Sequence, residues 1–177
     1  TYSGEGKYQE SRKLLSEILD NSNDSVCVGI CLQEIGINYF WEKNYNYSAS
    51  YLKRSLQYPD VNYSRSIRLF RLADSYFELR QLDSALIYAK KSLTFPANFY
   101  TKRECYRILA NTCYLQKEFK TMAGYMTHYQ TMTDSIRKIN MKTKATIIED
   151  IHQSTTRIKT KSGQVYWLIS LITLILA

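Results

Sequence analysis

The feature that most constrains the fold of this chain is a repeat with a period of 37 residues. The stretch YLKRSLQYP at residues 51–59 returns as YAKKSLTFP at residues 88–96, so its first residue recurs 37 positions later. The same shift aligns other matching side chains, among them Leu32 with Leu69, Tyr39 with Tyr76, and Ala73 with Ala110. A fixed period over three units predicts a solenoid, because each unit then buries its apolar face against the next.

Each unit is predicted to hold two helices joined by a short polar turn. In the middle unit, apolar residues recur three or four positions apart on both sides of Arg80 and Gln81, which is the spacing of one helix face. Pro96 then ends the second helix. The 177 residues include only two prolines and six glycines, fewer turn-forming residues than an all-β fold would need. The sequence therefore predicts an all-α fold of antiparallel helix pairs.

The middle unit, residues 69–98, resembles the tetratricopeptide repeat. The residues that carry the resemblance are Leu72, Ala73, Tyr76, Ala85, Ala89 and Pro96. The other units depart from the pattern: Ser48 occupies an alanine slot of the first unit, and Cys113 and Met122 occupy the tyrosine and alanine slots of the third. The period also exceeds that of the family, which is about 34 residues. The resemblance implies a right-handed solenoid whose first helices line a concave surface.

The repeat pattern also divides the chain into regions. Residues 1–20 match the second helix of an incomplete unit, so we expect further repeats upstream, because a lone second helix cannot bury its apolar face. The remaining predicted regions are three repeats at about 25–60, 61–97 and 98–134, a long basic helix at 135–162, and the start of a truncated transmembrane helix at 165–177.

The C-terminal part of the chain differs from the rest in charge and hydropathy. Residues 135–177 hold seven Lys or Arg against two Asp or Glu, and residues 165–177 hold no charged residue. Tyr166 and Trp167 stand at the start of the apolar run, as aromatic residues do at a membrane interface. The basic segment is either a solvated helix or one that meets anionic lipid. The apolar run is either the start of a transmembrane helix or a buried core helix.

The long helix has two interpretations. Residues 118–160 contain no proline and one glycine, Gly124, so one uninterrupted helix is expected. It would either shield the last repeat or form a weak coiled-coil stalk. Its apolar stripe is thin, because Thr143 and Ser154 belong to it. We therefore expect a monomer in solution, and at most a weak homodimer through this helix.

No motif for catalysis, cofactor binding or metal binding occurs in the sequence. There is no phosphate-binding glycine loop and no nucleophile motif. The four cysteines form pairs four and eight residues apart, which does not match the spacing of a zinc site, and we expect them in the core. Residues 1–134 carry 17 Lys or Arg against 14 Asp or Glu, too even a balance for a nucleic-acid-binding face. We predict a non-enzymatic protein with no cofactor, no metal and no nucleic-acid partner.

The order of repeats, long helix and apolar run resembles that of membrane-anchored regulators found in Bacteroidetes. The resemblance implies the protein- or peptide-binding region of a bacterial signalling or transcription-regulatory protein, held by a single membrane pass with its repeats in the periplasm. The alternative is a scaffold or co-chaperone-like adaptor tethered to a membrane by its tail. Taken alone, Arg157, Lys159 and Lys161 would favour the cytoplasmic side for the repeats.

The resemblance to the tetratricopeptide repeat also implies a peptide-binding groove on the first helices. The expected groove residues are Gln33, Ile37, Phe40 and Trp41 in the first unit, Phe70, Asp74 and Phe77 in the second, and Arg107, Asn111 and Tyr114 in the third. Aromatic side chains accompanied by a cation and two amides suit an extended protein or peptide ligand with apolar anchors.

Overall fold

The computed structural model describes residues 7–61 and 64–175, with side chains described as far as Thr155, and every regular element in these residues is a helix. The helices are α1 (Tyr8–Asn21), α2 (Ser25–Trp41), α3 (Tyr45–Ser55), α4 (Ser64–Glu78), α5 (Leu82–Leu93), α6 (Phe99–Leu115) and α7 (Phe119–Ile175). The predicted all-α fold is confirmed. Residues 1–6 of the predicted N-terminal helix and residues 176–177 of the apolar run lie outside the described residues.

The chain forms two compact units, Thr1–Asp134 and Ser135–Ala177. Within the first unit, each of the helices from α1 to α6 packs against the next, and α4 also packs against α2 and α6. The core is built from small and branched apolar side chains between these helices, such as Leu52 and Leu72 on one side of α4 and Ala89 and Leu109 on the other. These four side chains have no exposed surface. Because α4 has a neighbour on both sides, it is the central helix of this unit.

The backbone repeats with the period of the sequence. Lys43, Arg80 and Lys117 each lie 37 residues from the next and have φ values of 62°, 60° and 64°. Each sits in the turn that joins two helices of a pair, and each donates its N–H to the carbonyl three residues earlier, at 2.9, 3.0 and 3.1 Å. The following residue donates to the carbonyl five residues before it in all three turns. This pair of bonds is the Schellman ending of a helix, so the architecture is repeat-like at the level of hydrogen bonds.

A small side chain is required where the two helices of the first pair cross. A Cβ added to Gly36 would lie 2.8 Å from Leu52 Cγ and 3.2 Å from the Ser48 carbonyl oxygen, both on α3. Ala73 and Ala110 occupy the same position in the later units, with 0% and 1% of their surface exposed. The close approach of the helices therefore explains why this position holds only glycine or alanine.

One buried charge fastens three helices together. Arg68 on α4 is fully buried, and its Nη1 donates to the Ser55 carbonyl at 2.9 Å and to Asp60 Oδ1 at 3.1 Å. Its Nε donates to Gln33 Oε1 on α2 at 3.2 Å. The Ser55 carbonyl, at the end of α3, also accepts the Tyr58 N–H at 3.2 Å. Arg68 therefore adds a second bond to the carbonyl that ends α3, and so caps that helix while holding α2 in place. The repeat pattern of the sequence does not predict this role.

No helix in the described part of the chain combines the length and the hydropathy needed to cross a membrane. The prediction of a single-pass membrane protein with periplasmic repeats is therefore wrong, and the predicted start of a transmembrane helix at residues 165–177 is not confirmed. The described part of the uncharged run, residues 165–175, forms the end of α7. In α7 that run follows a polar segment that contains Lys159 and Lys161, which lowers the mean hydropathy of any longer window.

Candidate functional site

A groove with a volume of about 620 Å³ runs across α2, α4 and α6 in the first unit. Each helix contributes residues that recur at intervals of three and four: Gln33, Glu34, Ile37, Phe40 and Trp41 from α2; Ile67, Phe70, Arg71, Asp74 and Glu78 from α4; and Tyr100, Arg103, Glu104 and Arg107 from α6. Residues at such intervals share one face of a helix. The groove is therefore the combined surface of three helix faces.

Seven of the ten residues expected in the groove line it: Gln33, Ile37, Phe40, Trp41, Phe70, Asp74 and Arg107. The other three lie elsewhere. Phe77 packs against the core cluster between α4, α5 and α6. Asn111 is exposed outside the groove. Tyr114 is 59% exposed, and its ring centroid lies 6.2 Å from that of Phe119 at the end of the helix pair. The structure thus brings together the expected residues of α2 and most of those of α4, but from α6 only Arg107.

An aromatic shelf, formed by Phe40, Trp41 and Phe70, supports an arginine in the groove. The Cζ atom of Arg71 lies 5.6 Å from the ring centroid of Phe40, 5.1 Å from that of Trp41 and 4.7 Å from that of Phe70. These distances fall within the range of cation–π attraction. Burial lowers the pKa of Arg71, against the attraction of Asp74, Glu104 and Glu34. The shelf thus contacts the guanidinium through ring faces, and no carboxylate of the described residues forms an ion pair with it.

A chain of ion pairs forms the other side of the groove. Arg107 Nη2 on α6 donates to Asp74 Oδ1 on α4 at 2.9 Å, and Arg107 Nε donates to Glu104 Oε2 at 2.7 Å. Arg103 completes the chain with two hydrogen bonds to Glu104 Oε1, at 2.6 and 2.8 Å. Asp74 is only 4% exposed, so these bonds compensate much of the cost of burying its charge. The chain joins α4 to α6 and fixes the shape of the groove.

The pKa values of the two carboxyl groups in this chain of ion pairs, Asp74 and Glu104, are shifted in opposite directions. Burial raises the pKa of Asp74, and the attraction of Arg107 opposes that rise without cancelling it. Partial burial also acts to raise the pKa of Glu104, but the hydrogen bonds from Arg107 and Arg103 outweigh it and hold that pKa below its usual value. Glu104 is therefore charged at neutral pH and holds both arginines in place.

The groove is also lined by Arg71, Arg103 and Glu104, which were not predicted from the sequence. A signal for them was present, because Arg71 follows Ile67 by four residues and precedes Asp74 by three, and Arg103 and Glu104 precede Arg107 by four and three. Extending the helix faces through charged residues would have found all three. From Asp74 the same spacing of three or four leads to both Phe77 and Glu78. Of these two, Glu78 lines the groove and Phe77 packs against the core cluster.

The described residues show no group of three or more side chains placed to hold a metal ion. Three of the four cysteines are buried. Burial raises the pKa of Cys31 and that of Cys105 to about 11 and also raises the pKa of Cys113. Because the thiolate is the reactive form of cysteine, these thiols are inert at neutral pH and serve as small core residues. The groove accordingly offers aromatic surface, amides and charges to a ligand.

Compared with known proteins, the chain matches neither a family model nor a curated protein.

Proposed function

We propose that this chain is a non-enzymatic helical repeat of the tetratricopeptide kind, a right-handed solenoid whose groove binds an extended segment of another protein. The observation that carries the proposal is the groove itself, in which an aromatic shelf lies between polar side chains of α2 and α6. Turns of the same backbone geometry recur at Lys43, Arg80 and Lys117. This recurrence supports the repeat assignment, because each unit of a repeat protein has the same local structure.

The exposed surface of the shelf favours a protein ligand. Trp41 lines the groove and is 49% exposed, so a ligand that covers it removes a large aromatic surface from water. Tryptophan in such a position is the residue type that most often dominates binding energy. Carboxylates around it, those of Glu34 and Glu78, can accept hydrogen bonds from the backbone amides of an extended chain. The membrane-coupled signalling role depended on a membrane span, which no helix in the described part of the chain provides.

The charges of the groove support binding over catalysis. Asp74 and Glu104 each accept a hydrogen bond from Arg107, at 2.9 and 2.7 Å. A general acid or base needs a proton or a lone pair within hydrogen-bond reach of the substrate. In these three groups, donors and acceptors are engaged in hydrogen bonds within the protein. The four cysteines do not line the groove, so none is positioned there as a nucleophile.

The test is a selection of displayed random peptides of about ten residues, which span roughly 33 Å when extended. Binding of the selected peptides is then measured for the wild type, Trp41→Ala and Phe40→Ala, with Ile87→Ala as the matched control. Ile87 on α5 is 62% exposed and lies outside the groove. We expect Trp41→Ala to weaken binding about tenfold or more and Ile87→Ala to leave it unchanged. Unchanged affinity in both groove variants, with helical circular dichroism retained, would reject the proposal.

A further inference from the structure

Arg71 is the one cation of the groove without a carboxylate partner in the described residues. Arg103 and Arg107 form ion pairs with Glu104 and Asp74 at 2.6 to 2.9 Å. The remaining ion pairs of the described residues involve Arg12, Arg65 and Arg68. The Nε atom of Arg71 is buried and makes no hydrogen bond. A guanidinium carries five donors in a fixed fork, and a buried donor without an acceptor is costly.

The described side chains around Arg71 hold its guanidinium in place but do not accept hydrogen bonds from its N–H groups. Three rings contact it, with centroids 4.7 to 5.6 Å from Cζ, and ring faces cannot accept its in-plane N–H groups as a carboxylate can. Asp74 lies one helix turn away, but its Oδ1 already accepts a hydrogen bond from Arg107 Nη2. An ordered planar cation whose nearby carboxylate is already engaged is suited to a planar anion from outside the protein.

We propose that Arg71 binds the side-chain carboxylate of an Asp or Glu residue in the ligand peptide. This inference rests on the proposed function and adds to it the charge of one ligand residue. Arg71 lies on α4, the central helix of the groove, with lining residues of α2 on one side and of α6 on the other. A peptide that crosses all three helices continues past Arg71 in both directions, so the carboxylate belongs to an internal residue and not to the C-terminus.

Other carboxylates of the groove limit which residues can flank the acidic residue of the ligand. Glu34 and Glu78 also line the groove, and neither forms an ion pair within the described residues. They would repel a ligand rich in acidic residues. The preferred ligand thus has a single acidic residue next to the shelf, flanked by apolar or basic residues, and not an acidic tract.

The experiment uses peptides selected from the same random library on the full chain. For each binder, the dissociation constant is measured for the parent peptide and for versions with the acidic residue changed to its amide or with the C-terminus amidated. The protein variants are Arg71→Met, which keeps an unbranched side chain on the shelf, and Arg71→Lys. Arg103→Gln serves as a control, because it removes a groove cation that is already paired.

We expect the Asp→Asn or Glu→Gln peptide to bind about tenfold more weakly than its parent to the wild type. That difference should disappear in Arg71→Met, shrink in Arg71→Lys and persist in Arg103→Gln, and amidation of the C-terminus should have no effect. Binders that depend on Trp41 but show no acidic preference would overturn the inference and leave the proposed function standing. Loss of affinity on amidation alone would also overturn it, and binders indifferent to every groove variant would overturn both.

Discussion

At the scale of single residues, two glycines lie in very different surroundings. Gly36 lies at the crossing of α2 and α3, where an added Cβ would lie 2.8 Å from Leu52 Cγ. Gly124 lies in the first turns of α7, where an added Cβ would meet no heavy atom within 4 Å. Glycine in a helix interior is otherwise a disadvantage relative to alanine. The first glycine is therefore required by packing, and the second is not.

This contrast predicts opposite effects for the same substitution. Gly36→Ala should lower the free energy of unfolding by about 1 to 3 kcal/mol, because the helices must separate to admit the methyl group. Gly124→Ala should raise it by about 0.5 to 1 kcal/mol through helix propensity. Urea denaturation of both variants beside the wild type measures the two changes. A neutral Gly36→Ala would show that the crossing is looser than the structure indicates.

At the scale of elements, α7 differs from the other helices because part of it has no buried face. Every residue from Arg137 to Thr155 is exposed, including Ile147, Ile148 and Ile151, at 51%, 67% and 60%. Helices in proteins are held mainly by packing of an apolar face. In this segment the backbone hydrogen bonds thus have little tertiary support.

Hydrogen exchange should reveal this difference. We expect amides of residues 137–155 to exchange about a hundredfold or more faster than those of α4, because local opening there breaks no core contacts. Mass spectrometry of labelled peptides from the full chain measures both segments in one experiment. Equal protection at low protein concentration would contradict the expectation. Protection that rises with concentration would instead show self-association through α7, against the monomer that the thin apolar stripe predicts.

At the scale of the whole molecule, the sequence predicts the structural features that recur in every unit, but not the contacts that occur in one unit alone. The helix pairs, their turns and the small residue at the crossing recur every 37 residues, so comparison of the units finds them. Arg68 and Arg71 each do something that no other unit repeats: one caps α3, and the other lies on the aromatic shelf. Burial of a charge depends on partners distant in sequence, which a periodic pattern does not contain.

The same limit explains which site residues were predicted. Aromatic residues such as Phe40 and Phe70 stand out on a helix face and were expected in the groove, where they lie. Phe77 stands out equally, but it packs against the core cluster without lining the groove, whereas Phe70 belongs both to that cluster and to the groove lining. Hydrophobicity alone does not tell a groove from a core. The membrane span was predicted from the apolar character of residues 165–177, but no helix in the described residues has the length and hydropathy that a span requires.

The central claim is that the groove across α2, α4 and α6 is the binding surface, and chemical-shift mapping tests it most directly. An isotope-labelled chain is titrated with a selected peptide, and the backbone amide shifts are followed to saturation. We predict the largest changes at Ile37, Trp41, Phe70, Arg71 and Arg107, and none at Ile87 on α5. Saturating changes confined to α3, α5 or residues 137–155 of α7, with the groove amides unmoved, would contradict the claim.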